Sequence, residues 1–199
     1  MKTDLRISGA AALLAGGKSQ RMGRDKCLLL CEGVPLWQRQ LDLLARLHPA
    51  EIFISARAEQ AYFQASAARI IVDQWPEAGP LGGIASLLGA TVQPFLLVLA
   101  VDLPFMSADL LQELLAESSA TQGAVFQSVN GFEPLAAVYP RSLLPTAIER
   151  LTQGQLRMQD FLHAAVAMGA MKSLPLSPLA ERAFRNLNTP EEARDLAGQ

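Results

Sequence analysis

The feature that most constrains the fold is a run of mainly apolar residues, 7–14, that ends at the glycine pair Gly16 and Gly17. Such a run predicts a β-strand covered on both faces, because a strand with one solvated face alternates between apolar and polar residues. Strands of this kind occur in sheets that carry helices on both sides. The run therefore predicts an α/β protein with a mostly parallel sheet.

The rest of the chain repeats this alternation of strand and helix patterns. Ser107 is placed as the N-cap of a helix that runs to about residue 117. Strands are predicted over 51–55, 69–72, 94–101, 124–129 and 135–139, and helices over 35–47, 58–67, 84–89, 142–152, 158–165 and from Thr189 onward. Residues 74–83 are predicted to form a loop rich in Gly and Pro. The alternation implies right-handed crossovers and a three-layer fold.

Length and composition limit the classes of protein that the chain can be. Its 199 residues predict a single domain spanning 1–199. With 50% hydrophobic residues and a net charge of -2, neither a disordered chain nor a nucleic-acid-binding surface is expected. Two Cys and two His are too few for a disulfide framework or a metal cluster built on these residues. Without an apolar stretch long enough for a membrane span, we expect a cytoplasmic protein.

The first chemical motif is the segment that follows the first predicted strand. It contains two adjacent glycines and four cations, Lys18, Arg21, Arg24 and Lys26. Ligands of parallel sheets bind beyond the carboxyl ends of the strands. Glycines let a backbone approach a ligand, and free N–H groups with cations suit a polyphosphate. An ordinary glycine turn with solvated charges is the alternative, but the whole string favours phosphate binding.

Two carboxylates, Asp73 and Asp102, directly follow other predicted strands. Asp102 could cap a helix, but Ser107 is better placed to do so, and Mg²⁺ is commonly held by one or two carboxylates together with phosphate oxygens. Asp73 could form a turn, or it could accept paired hydrogen bonds from N1–H and the exocyclic amine of guanine. The backbone of Gly82 and Gly83 could complete a base or ribose pocket.

Near the end of the chain, Asn186 and Asn188 are separated by one residue. In an extended segment this spacing places both side chains on one face. Two amides there could bind a phosphate or the edge of a pterin, or they could merely cap and form turns.

The glycine-rich string itself identifies a family. Residues 14–26 fit neither the P-loop nor the dinucleotide fingerprint, because Ala12 and Lys18 stand where those motifs need glycine. The string instead resembles the signature of nucleotidyltransferases that build molybdenum cofactors, Leu-Ala-Gly-Gly-x-Ser-x-Arg-Met-Gly-x-Asp-Lys, at every fixed position. The resemblance extends over nearly the whole chain, through 33–36, 79–83, 102–104, 133–135 and 186–192. Among these nucleotidyltransferases, the sequence is most similar to the molybdenum cofactor guanylyltransferase family.

This resemblance implies a Rossmann-like nucleotidyltransferase fold and the transfer of GMP from GTP to the terminal phosphate of molybdopterin, with release of pyrophosphate. It implies a nucleotide-binding part over about 1–105 and an acceptor-binding part over about 106–199. Molybdoenzyme chaperones or other cofactor-assembly proteins are candidate further partners, whereas nucleic acid and membranes are not. Cytidylyl transfer to the same pterin, transfer to a sugar phosphate and a non-catalytic nucleotide-binding adaptor are the alternative functions.

The resemblance also implies site residues. The catalytic residues are Arg21, Lys26 and Asp102, with Mg²⁺ as cofactor on Asp102, and the acceptor-binding residues are Asn186 and Asn188. The nucleotide-binding residues are Leu14, Ala15, Gly16, Gly17, Ser19, Lys26, Ser55, Asp73, Gly82 and Asp102. Ser55 stands where the family has asparagine, so this position keeps a hydroxyl but lacks the reach of an amide.

Overall fold

The computed structural model of the chain describes residues 9–16, 25–57, 60, 63–64 and 66–187. In these ranges the α-helices are α1 (Leu36–Ala45), α2 (Pro80–Ala90), α3 (Ala108–Ala116), α4 (Leu144–Thr152) and α5 (Met158–Ala167). The strands are β1 (Ala10–Leu14), β2 (Leu30–Cys31), β3 (Val34–Pro35), β4 (Glu51–Ala56), β5 (Arg69–Val72), β6 (Phe95–Ala100), β7 (Gly123–Ser128), β8 (Gly131–Pro140) and β9 (Met171–Pro175). None of the described helices combines the length and hydropathy needed to cross a bilayer.

Seven of the strands form one sheet in the order β5-β4-β1-β6-β8-β7-β9. The four strands β5, β4, β1 and β6 are mutually parallel, and β9 is parallel to β7. Only β8 runs against its two neighbours within this sheet. The predicted α/β fold with a mostly parallel sheet is therefore confirmed. Strands β2 and β3 form a separate antiparallel hairpin.

The sheet is covered on both faces, as the apolar pattern of its first strand predicts. Along β1, Ala11 and Leu13 belong to one buried cluster, and Ala10 and Ala12 belong to the other. The first cluster includes buried residues of α1 and α3, and the second includes those of α2, α4 and α5. Each side of the sheet therefore packs against helices, which gives the three-layer architecture.

The sequence misplaces the start of α2. The predicted helix covers 84–89, whereas α2 begins at Pro80, so the predicted loop over 74–83 ends at Gly79. Gly79 has a φ of 63°, which glycine adopts without strain, and Pro80 fits the first position of a helix. Leu81 to Leu88 are all buried, so tertiary packing stabilises a helix that the local glycines disfavour.

Three further predictions need correction or lie outside the described residues. The described part of 58–67 contains no α-helix: residues 63–64 form a 3-10 turn and 66–68 a bend. Strand β9 and the hairpin of β2 and β3 were not predicted. The helix predicted from Thr189 onward, and the first residues of the run at 7–14, lie outside the described residues.

The predicted N-cap of α3 is present, since the Ser107 hydroxyl oxygen accepts a hydrogen bond from the Leu110 N–H at 3.3 Å. Replacing Ser107 by Ala removes this acceptor, and we expect it to lower the free energy of unfolding by about 1 kcal/mol, measured by urea denaturation. Ser107→Asp should retain most of the stability, because aspartate caps as well as serine. Equal stability of the alanine variant and the wild type would contradict this role.

Candidate active site

A cavity of about 410 Å³ lies at the carboxyl ends of the parallel strands. Its lining includes the end of β1, a residue of β4 and the residues that follow β5 and β6. The predicted site residues among this lining are Leu14, Ala15, Gly16, Lys26, Ser55, Asp73 and Asp102. The structure thus brings these seven positions together around one space, although they are spread over almost ninety residues of sequence.

The register of the parallel strands explains this convergence. Leu14 at the end of β1 pairs with Ser55 of β4 on one side and with Ala100 of β6 on the other. The alignment continues past the strand, where the Ala15 N–H donates to the Ser55 carbonyl at 2.9 Å and the Val101 N–H donates to the Leu14 carbonyl at 3.1 Å. The segments that follow β1 and β6 therefore leave the sheet side by side.

Of the other predicted site residues, Asn186 is described but does not line the cavity, and the rest fall into two groups. Gly17, Ser19, Arg21 and Asn188 lie outside the described residues. Gly82 is described but does not line the cavity, because its Cα faces the Trp75 backbone: a Cβ there would lie 2.5 Å from the Trp75 carbonyl oxygen. The neighbouring Gly83 occupies the lining position instead.

Lys26 and Asp102 form an ion pair in the cavity. The Lys26 Nζ lies 3.5 Å from the Asp102 Oδ2, and the two side chains are 20% and 22% exposed. Lys26 begins a 3-10 turn that Asp25 caps, since the Asp25 Oδ1 accepts from the Cys27 N–H at 3.1 Å. The pair places a cation and a carboxylate side by side at the ends of β1 and β6.

The turn that carries Asp102 is held from two sides. Gln40 of α1 is buried, and its amide donates to the Leu103 carbonyl. The Leu187 N–H donates to the Asp102 carbonyl at 2.9 Å, so the C-terminal segment also contacts this turn. Asn186 is exposed beside that contact. The predicted acceptor-binding segment is therefore adjacent to Asp102.

Asp73 is held in one orientation by two hydrogen bonds to the same oxygen. Its Oδ1 accepts from the Trp75 N–H at 2.8 Å and from the Ser86 hydroxyl at 3.1 Å. Its Oδ2 points toward Gly83, lying 3.9 Å from the position that a Cβ on Gly83 would take. One carboxylate oxygen therefore accepts hydrogen bonds from within the protein, and the other faces the cavity.

Ser55 and Gly83 shape the space between Leu14 and Asp73. Ser55 is only 2% exposed. A Cβ on Gly83 would lie 3.2 Å from the Ser55 Oγ and 3.3 Å from the Leu14 Cδ2. Gly83 therefore allows the first turn of α2 to pack closely against the strand ends without a side chain entering the site.

Glu133 of β8 lies two residues before Leu135, which lines the cavity. Burial raises the pKa of Glu133 above its ordinary value, and the hydrogen bond from the Ser128 hydroxyl, at 3.2 Å, opposes that rise. The raised pKa reflects a carboxyl group that is partly removed from water.

Sequence reasoning missed three buried polar residues that support this site, Gln40, Gln60 and Ser86. Gln40 and Gln60 donate to carbonyl groups that are distant in sequence, those of Leu103 and Ala15, and Ser86 of α2 donates to Asp73, which follows β5. No local motif marks them. Their only signal is a polar residue in a segment that the fold buries, and burial cannot be read from one sequence.

The family described as MobA-like NTP transferase domain matches residues 11–168. The chain belongs to this family. It is 38% identical over 186 residues to the probable molybdenum cofactor guanylyltransferase of Opitutus terrae, with 92% of each chain covered. It is 31% identical over 192 residues to the molybdenum cofactor guanylyltransferase of Pseudomonas putida, covering 92% of this chain and 94% of that one.

A solved structure also resembles this member of the family. It is the molybdopterin-guanine dinucleotide biosynthesis protein A of Archaeoglobus fulgidus, which superposes with a TM-score of 0.75 at 21% identity over 95% of this chain and 97% of that one. At this identity the likeness establishes the fold. The nucleotidyltransferase fold and the family inferred from residues 14–26 are both confirmed.

Two glycines of the same helix provide a matched test of the cavity. In Gly83→Ala, the added methyl group lies within 3.4 Å of Ser55 and Leu14, an overpacking that costs about 1–3 kcal/mol of folding stability. Because Ser55, Leu14 and Gly83 line the cavity, we also expect weaker binding of nucleoside triphosphates. In Gly89→Ala, the methyl group meets nothing within 4 Å, so binding should not change. The free energy of unfolding of the Gly89 variant should rise by about 0.5–1 kcal/mol.

Isothermal titration calorimetry and urea denaturation measure the two quantities. Unchanged nucleotide binding in a folded Gly83→Ala variant would show that the cavity beside Gly83 does not receive the nucleotide.

Proposed function

We propose that the protein is a molybdenum cofactor guanylyltransferase, which transfers GMP from GTP to the terminal phosphate of molybdopterin and releases pyrophosphate. Its family and the names of its relatives support this reaction. The observation that carries the proposal is the shared cavity, in which the end of β1, the Lys26–Asp102 pair and Asp73 meet. These elements supply, in order, a cradle for phosphates, charges for the transfer and a carboxylate for the base.

The chemical problem is the approach of two anions. The attacking phosphate of the acceptor is already an anionic nucleophile, so the reaction needs no covalent intermediate on the protein. It needs positive charge near the α-phosphate and the departing pyrophosphate, together with in-line placement of the reactants. Lys26 is positioned in the cavity to supply such charge. Arg21, outside the described residues, is proposed as a second cation.

Mg²⁺ is the proposed cofactor, and Asp102 is the residue that would hold it. Within the described ranges, no group of three or more His, Cys, Asp or Glu side chains could form a protein-made metal cage. Mg²⁺ bound with a nucleotide commonly uses only one or two carboxylates and completes its shell with phosphate oxygens and water, so a single aspartate in this cavity fits it. The ion would neutralise negative charge on the transferred phosphate.

Asp73 is the proposed reader of the base. An ionised carboxylate is an acceptor only, and guanine presents two neighbouring donors, N1–H and the exocyclic amine. Adenine and cytosine do not present that pair. The hydrogen bonds from Trp75 and Ser86 to Oδ1 hold the carboxylate still, which lowers the entropy lost when a base binds.

The acceptor is proposed to enter from the side of Asn186 and Asn188, with residues 106–199 providing the acceptor-binding part. We further propose that the reaction takes place in the cytoplasm. The Cys27 and Cys31 side chains are buried as thiols, which is compatible with a reducing compartment. Cofactor-assembly proteins or molybdoenzyme chaperones are the proposed recipients of the product.

Removing either member of the ion pair tests the transfer step. Lys26→Ala and Asp102→Asn should fold, because both side chains border the cavity and the group that remains keeps its contact with solvent there. The rate of pyrophosphate release from Mg·GTP with molybdopterin should fall about 100- to 1,000-fold, as when a charge-stabilising group is lost. Lys172→Ala, which breaks the exposed pair with Glu117, is the control and should react like the wild type.

Wild-type turnover in either cavity variant would reject the proposed roles of Lys26 and Asp102. If the wild-type protein binds Mg·GTP but releases no pyrophosphate with an authentic acceptor, the chain is a nucleotide-binding adaptor instead.

Base recognition is tested by comparing GTP with ITP, whose base lacks the exocyclic amine. Asp73→Asn should reduce the preference for GTP over ITP about tenfold or more, because the Trp75 N–H and the Ser86 hydroxyl retain the amide oxygen, and the amide nitrogen then facing the cavity cannot accept a hydrogen bond. Ser86→Ala should reduce it less, because Asp73 keeps its charge and its bond from Trp75. Calorimetry with GTP, ITP and CTP measures these preferences. A wild-type preference for CTP would replace guanylyl transfer by cytidylyl transfer.

A further inference from the structure

Gln60 is a buried polar residue that no part of the proposed function uses. It is 3% exposed. Its Nε2 donates to the Ala15 carbonyl at 3.1 Å and to the Asp25 Oδ2 at 2.8 Å, while its Oε1 accepts from the Arg57 N–H at 2.8 Å. A single amide thus connects three separate segments of the chain.

Two of these partners lie on either side of the glycine-rich segment in sequence. Ala15 precedes residues 17–24, and Asp25 follows them, so the Gln60 amide ties together the two sides of the glycine-rich segment. Both partners line the cavity. Arg57 adds a second link, because its guanidinium lies 3.4 Å from the Asp25 Oδ2. Asp25 is in turn the cap of the turn that begins with Lys26.

We propose that Gln60 is a positioning residue, which fixes the distance between the two ends of the glycine-rich segment and thereby sets the affinity for the polyphosphate of the nucleotide. This inference rests on the proposed role of residues 14–26 in phosphate binding. A site whose lining groups are already held in place, as Ala15 and Asp25 are, loses less conformational entropy when a ligand binds. The Gln60 amide also fixes the orientation of the Ala15 carbonyl and the Asp25 carboxylate, because a buried hydrogen-bond network has few alternative arrangements.

The base side of the cavity is supported by different contacts. Ser55 is held within β4 by pairing with β1 and β5, and Asp73 is held by Trp75 and Ser86. The loss of the Gln60 amide should therefore affect the phosphates of a nucleotide more than its base. A residue that served only general stability would weaken all ligands of the cavity alike, and this difference separates the two roles.

The test compares Gln60→Leu with Gln159→Leu. Gln159 of α5 is a matched control, because its amide also makes two backbone hydrogen bonds, with the Phe132 N–H at 2.9 Å and the Phe132 carbonyl at 2.8 Å. Calorimetry with Mg²⁺ gives the dissociation constants of whichever nucleoside triphosphate the wild type binds most tightly and of its monophosphate. This choice keeps the test independent of the base, so a preference for CTP would refute guanylyl transfer and leave the Gln60 measurement intact.

In Gln60→Leu, the dissociation constant of the triphosphate should rise about tenfold or more, because the Ala15 carbonyl and the Asp25 carboxylate lose a buried donor. That of the monophosphate should rise less than about threefold, since it engages less of the segment. In Gln159→Leu, the ratio of the two constants should remain that of the wild type. Equal weakening of both ligands by Gln60→Leu, or no weakening, would overturn the proposal.

A measurement on the wild-type protein covers the case in which Gln60→Leu does not fold. Hydrogen exchange at the Arg57 and Cys27 amides reports on this network, because these N–H groups donate to Gln60 and Asp25. The triphosphate should slow their exchange more than the monophosphate does. Equal protection by the two ligands would overturn the proposal, and failure to bind any nucleoside triphosphate would refute both this proposal and the proposed function.

Discussion

The parallel alignment of β4, β1 and β6 is the constraint on which the rest of the site depends. Parallel strands in register end at the same edge, so whatever follows each of them shares that edge. Leu14 aligns with Ser55 and with Ala100, and the backbone hydrogen bonds include Ala15, one residue beyond β1, and Val101, one residue beyond β6. The strand register therefore brings together a glycine segment and an aspartate that are far apart in sequence.

The alignment itself depends on small, fully buried residues. Ala10, Ala11 and Ala12 are 0% exposed, so helices pack against both faces of β1. A polar residue at these positions would be buried without a partner, which costs more than one hydrogen bond contributes. The apolar run thus determines the sheet, and the sheet determines where Gly16 and Asp102 lie.

The functional groups sit on short turns, yet those turns are fixed from several directions. Lys26 lies in a turn capped by Asp25, and the turn of Asp102 is bonded to α1 through Gln40 and to the C-terminal segment through Leu187. Turns alone leave side chains poorly placed, whereas supporting hydrogen bonds hold them close to one geometry. Buried amides such as Gln40 and Gln60 supply that support from outside the motif.

This division explains what the sequence could reveal. Gly16, Asp73 and Asp102 were predictable, because each lies within two residues of the end of a strand whose pattern is local. Gln60 was not, since its partner Ala15 is 45 residues away and only the folded sheet brings them together. The start of α2 was also missed, because Gly82 and Gly83 disfavour a helix that burial of its apolar residues then stabilises. Local patterns give the elements, but contacts between elements decide their ends and their supports.

The Lys26–Asp102 pair contributes differently to the stability of the fold and to the proposed function. Each side chain keeps about a fifth of its surface exposed at the cavity, so the removal of one charge leaves the other in contact with solvent, and we expect the fold to tolerate the change. The apolar layers on both sides of the sheet carry the fold instead. A charge in a cavity that is partly shielded from water nevertheless interacts more strongly with a multiply charged phosphate than it would in bulk water. If the protein has the proposed function, the main energetic contribution of these two residues is to the binding of the nucleotide.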